Sequence, residues 1–161
     1  MNFRIKNPTI NTAFLVIFFF LLYLVSRYFR IAPTVISLLL PLGNFFLSQR
    51  YTLVFSLSIF FLIFISGFII EAIGIFLLFF IPIISFININ KKILKHTFIT
   101  LFAAIDFYIM YIFFGELLPD IATQKLILSI IIIAYILFSN IYGYLLKKLK
   151  NEIETLFRKF L

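Results

Sequence analysis

The chain has 161 residues, of which 64% are hydrophobic and 12% charged, with a mean hydropathy of +1.19. A water-soluble fold of this length has too little interior to hide so much apolar surface, whereas a bilayer solvates it. The net charge of +8 sits in short segments between apolar runs, where topology and anionic headgroups account for it. No basic soluble module is present to carry nucleic-acid binding. The absence of cysteine excludes disulfides, thiolate catalysis and cysteine-based metal sites, and His96 as the single histidine excludes a histidine cluster.

The apolar runs predict an all-α, polytopic membrane protein: a compact bundle of about six spans forming one integral domain over residues 1–161. Arg4 and Lys6 precede the first run, as in a secretion signal. No small-x-small cleavage site follows at Ser26 to Arg30, so residues 10–26 are expected to remain as the first span. The second, 31–47, is interrupted by Pro41, Gly43 and Asn44, which predicts a kink where the proline ring removes a backbone bond.

From 51 to 89 the sole charge is Glu71. One helix over that length would run about 58 Å, nearly twice the hydrocarbon thickness. A hairpin of two spans, 51–70 and 72–87, is therefore expected, with Gly67, Glu71 and Gly74 in the turn. The fifth and sixth spans cover 97–118 and 126–146. In the tail, 147–161, Leu149, Ile153, Leu156, Phe157 and Phe160 recur at intervals of three and four, opposite a basic face. That pattern predicts an amphipathic helix continuing the last span, lying in the interface, docking on a partner or fraying as a basic stop.

The basic residues orient these spans. With a cytoplasmic N-terminus, the inner segments hold Arg4, Lys6, Arg50, Lys91, Lys92, Lys95, Lys147, Lys148, Lys150, Arg158 and Lys159. Only Arg27, Arg30 and Lys125 fall outside, the asymmetry expected when cations are retained on the cytoplasmic side. Both termini are then cytoplasmic.

Chemistry has few carriers. Asp106 lies near the centre of its run, where a carboxylate costs about 2.5–3.5 kcal/mol on insertion scales and faces protein or a cavity. No Lys or Arg shares its depth, so it either carries a proton or accepts from hydroxyls such as Thr100, Tyr108 or Ser56. A docking residue and a neutral carboxyl bonded between helices are both open readings. Glu71 reads as a solvated loop acid and His96 as an interfacial residue. General acid–base work wants paired groups, and nucleophile elbows, phosphate loops and clustered aspartates are missing, so no catalysis and no cofactor is expected.

Several features recur together in one family. Pro33 opens the second span before the run Thr34 to Leu40; Ser48, Gln49 and Arg50 form a basic turn; Gly74 lies early in the fourth span. Lys91 and Lys92 mark the next inner turn, Asp106, Phe107 and Tyr108 place an acid before aromatics, and Leu146 to Lys150 opens a basic tail. In these the chain resembles MreD, the rod-shape-determining membrane protein family of bacteria. It departs from the family pattern at Phe64 and Ile65, where an aspartate is common.

The resemblance implies a non-enzymatic scaffold of the bacterial inner membrane that docks an MreC-type anchor and links the MreB filament to peptidoglycan synthesis. Asp106, Tyr108, Pro33 and Asn44 are then the docking candidates. The other reading is a substrate-binding membrane subunit of an energy-coupling-factor vitamin transporter. That would require a pocket of converging polar groups, for which Glu71, Glu116, Asp120 and Asn44 are available.

Overall fold

The computed structural model describes residues 7–114 and 125–160, with side chains described as far as 156. Every element among them is helical. Helix α1 spans Pro8–Tyr28, with Asn7 accepting the Thr9 N–H at 3.1 Å and Pro8 in the first turn, where its missing N–H costs nothing. After a tight turn in which Arg30 (φ 55°) and Ala32 (φ 44°) are left-handed, α2 runs Pro33–Leu39 and tightens into a 3-10 helix over Leu40–Phe46. Helix α3 is Gln49–Ile65. Then follow α4, Ile69–Ile75, a π-turn at Phe76–Phe80 and α5, Ile81–Asn88, which together make one continuous rod. Helix α6 is Lys92–Phe114 and α7 is Lys125–Phe160.

Four helices are long and apolar enough to cross a membrane: α1, the α4–α5 rod, α6 and α7. Two shorter apolar helices, Pro33–Phe46 and Gln49–Ile65, lie between the first and second of these. Their placement is fixed by contacts at both ends. Tyr51 at the start of α3 meets Thr9 at the start of α1 (3.4 Å between hydroxyls), while Phe68, just beyond α3, packs edge-on against Tyr23 near the end of α1. Helices α1 and α3 therefore run in parallel, and Pro33–Phe46 returns along the bundle between them.

The polarity of the molecule is reversed relative to a soluble domain. Phe14, Ile17, Leu21, Ile65, Ile112 and Ile133 face outward, while Thr12, Asn44, Thr52, Ser56, Ser85, Asp106 and Ser139 are buried. Such an exterior suits hydrocarbon, and in hydrocarbon polar groups must be satisfied internally. The chain is a multi-pass helical membrane protein.

Two boundaries differ from the sequence reading, each for a local reason. The α3–α4 turn is made by Gly67 alone (φ 92°), whose own N–H bonds Phe64 O while that of Phe68 bonds Ile63 O. Glu71 and Gly74 are already helical, so the rod begins at Ile69. Pro82 lies within the rod, where the π-turn just before accommodates the missing N–H and the ring. Helix α6 begins at Lys92, ahead of the expected Thr97, because nothing between them breaks a helix; residues 115–118 lie outside the described residues. The tail helix does continue the sixth span, as its periodicity predicts, with a single inward stripe of Tyr135, Ser139, Tyr142 and Leu146. The stripe continues through Leu149 and Ile153, which pack against the buried cluster of Leu42, Ile83, Tyr142 and Leu146. The first turns of the tail are thus held by the bundle itself.

Close crossings depend on glycine. A Cβ at Gly43 would strike the Phe55 ring, and one at Gly143 would come within 2.8 Å of Phe86. Aromatic rings interlock within a mainly aliphatic core: Phe19 meets Phe55 at 5.9 Å and Phe55 meets Phe80 at 6.2 Å, both edge-on or nearly so.

Candidate functional site

Polar side chains gather toward the two ends of the bundle. At the end where α1 and α3 begin, Asn44 donates to Ser56 (3.0 Å), Ser56 donates to the Thr52 carbonyl (2.8 Å), and Asn88 donates to the Thr52 hydroxyl (3.3 Å). Nearby, Asn140 on α7 donates to Thr100 (3.1 Å) and its carbonyl oxygen lies 2.7 Å from His96 Nδ1. With that amide orientation, Nδ1 carries the proton. The Tyr142 hydroxyl donates to Leu38 O at 2.5 Å. That carbonyl lies three residues before Pro41, which has no N–H to close a 3-10 bond, so the tyrosine supplies what the proline removed. These bonds join α2, α3, α5, α6 and α7.

The opposite end carries an ion pair and a buried acid. The Arg27 guanidinium lies 2.9 Å from Glu71 Oε1 and stacks over Phe68 (5.0 Å to the ring centre), while Tyr23 donates to Glu71 Oε2 at 2.5 Å. One turn further along α4 is Gly74, and Asp106 of α6 faces it: Asp106 Oδ1 is 4.0 Å from where a Gly74 Cβ would be. Asp106 is fully buried (0% exposed) because Ile99, Ala103 and Asp106, spaced four and three apart, form the inward stripe of α6. Its Oδ2 accepts from the Tyr135 hydroxyl of α7, and its Oδ1 is buried with no partner among the described residues.

Between these two groups lies a cavity of about 260 Å³, lined by Arg27, Pro33, Ser37, Glu71, Asp106 and Tyr135, with apolar walls that include Leu78 and Met110. It extends from the Arg27–Glu71 pair inward to the Asp106–Tyr135 pair.

The sequence-derived candidates separate cleanly. Asp106 and Pro33 meet at this cavity. Asn44 is buried at the other end and spent on Ser56, and Tyr108 points outward on the apolar surface, 65% exposed. None of the hydroxyls expected to hold Asp106 does so: Thr100 binds Asn140, Ser56 binds Asn44, and Tyr108 lies on the outer side of α6. Glu71 is a paired helix residue rather than a solvated loop acid. His96, placed at an interface by sequence, is tied to α7. Tyr135 and Arg27 were missed. Tyr135 is a lone hydroxyl in the run Ile130 to Leu137, and Arg27 and Glu71 fall on the same side of the expected topology, so a signal existed for both. Glu116 and Asp120 lie outside the described residues. Among the described residues no three His, Cys, Asp or Glu side chains gather as a metal site would need.

No protein-family model, curated protein or solved structure matches this chain.

Proposed function

We propose that the chain is a non-enzymatic scaffold of the bacterial inner membrane. It would have six spans and cytoplasmic termini, docking an MreC-type anchor and linking an MreB-type filament to peptidoglycan synthesis. The observation that carries this reading is how the interior polar groups are spent. Asn44, Ser56, Asn88, Asn140 and His96 bond across helices to one another, as in a rigid helical frame, instead of converging on one reacting centre. The parallel course of α1 and α3 supports six crossings, since Pro33–Phe46 then traverses the thickness that α1 does. About 24 Å of mixed helix would do so with modest local thinning.

Docking on this reading uses the outward apolar face, where Tyr108 stands, rather than Asp106 directly. The test is depletion in a rod-shaped cell. The expected result is rounding, with peptidoglycan insertion delocalised; unchanged shape together with a vitamin requirement would instead identify a transporter subunit. One observation favours that second reading, the cavity holding Glu71 and Asp106.

A further inference from the structure

We propose that the cavity between Arg27 and Asp106 is a binding site for a primary ammonium group, received by Asp106 Oδ1. Four observations converge on that chemistry. Asp106 is fully buried, Tyr135 satisfies only Oδ2, and Oδ1 has no partner among the described residues. A buried acceptor left open in a low-dielectric site is costly, and a hydrogen-bond donor relieves the cost. The charge in the cavity is also unbalanced. Glu71 is already matched by Arg27, the one cation among the described lining residues, which leaves the Asp106 carboxyl without one of its own. An amine and a carboxyl placed together are neutral as a pair whichever atom holds the proton, which is what an apolar surround tolerates.

The walls and the opening fit as well. The Ser37 and Thr34 side chains line the cavity and offer further oxygen acceptors to the remaining N–H groups, and Leu78 and Met110 would cover an alkyl chain. The Arg27–Glu71 pair stands at the other end of the same cavity, about one helical turn from the level of Asp106. A quaternary ammonium carries the charge but has no N–H to give Oδ1, so the site selects primary amines over methylated ones. Two sources supply this chemistry: the headgroup of an aminolipid reaching in past Arg27, or a free alkylamine.

The experiment uses the full chain purified in detergent. Native mass spectrometry compares retained lysophosphatidylethanolamine with lysophosphatidylcholine, and calorimetry compares n-hexylamine with hexyltrimethylammonium. Preference for the primary amine by about tenfold or more is expected, the worth of one hydrogen bond to a charged group. Preference in the lipid arm identifies an aminolipid; preference only for hexylamine identifies a free amine. Asp106→Asn keeps an acceptor for Tyr135 while removing the charge, and should abolish the discrimination. Thr34→Phe, at an exposed position on the rim, should block the cavity with Asp106 intact and serves if the first variant does not fold. Equal binding of primary and quaternary probes in both arms, or undiminished preference in a folded variant, overturns the proposal. Neither result bears on the scaffold reading, which is tested by cell shape.

Discussion

At the scale of single residues, the Asp106–Tyr135 pair joins α6 to α7 at the cavity end. Removing one partner of such a pair costs more than removing both, because the survivor stays buried and unbonded. Tyr135→Phe leaves both Asp106 oxygens open and is expected to destabilise by about 1–3 kcal/mol. Adding Asp106→Leu to it should recover much of that loss. Thermal melts of the two single variants and the double would show this as strong non-additivity, and strictly additive effects would mean the pair is not coupled. Arg27 and Glu71 are each about one-third exposed, at 32% and 37%. Their pairing is therefore screened, and Arg27→Ala should cost about 0–1 kcal/mol, part of it from lost stacking on Phe68.

At the scale of elements, small residues decide which helices can touch. Gly143 lets α7 cross over Phe86 of α5, whose ring also meets Tyr144 edge-on at 4.8 Å. Gly143→Val forces two rigid neighbours apart and is expected to lower stability by about 1–3 kcal/mol, with Phe86→Leu as partial rescue. Equal melting of Gly143→Val and wild type would remove this crossing as a determinant of the fold. Gly67 depends on backbone rather than space: nothing lies within 4 Å of a Cβ there, but its φ of 92° disfavours any side chain. Gly67→Ala should therefore cost about 1 kcal/mol without changing helix packing, a distinction that intact Tyr23–Phe68 contact in cross-linking would verify.

At the scale of the whole molecule, the charge distribution and the geometry make one topological prediction. Reporter fusions after Lys92 and Lys150 should report cytoplasm, and one after Asp120 the outside. A cytoplasmic label at Arg50 would further separate a full crossing by Pro33–Phe46 from a re-entrant loop, which gives the same sidedness everywhere else. Protection of Arg50 from cytoplasmic reagents would favour the loop.

The sequence by itself determined the helical class, the membrane setting and the main helix runs. These follow from local hydropathy, which every residue carries whatever its neighbours are. It also singled out Asp106, since a lone acid in an apolar run has few resting places. The partners of that acid were not legible. Thr100, Tyr108 and Ser56 were reasonable hydroxyls at matching depth, but the stripe Ile99–Ala103–Asp106 turns Tyr108 outward, and Thr100 and Ser56 are taken by asparagines. Whether the tail would stay on the bundle or lie in the interface was likewise undetermined. Two apolar side chains, Leu149 and Ile153, packed against the buried cluster around Leu146, resolved it. Hydropathy says which residues avoid water, but only the rotation of each helix against its neighbours says which buried groups meet. That rotation is set by packing between segments far apart in the chain, and it brought Arg27, Glu71, Asp106 and Tyr135 to one cavity.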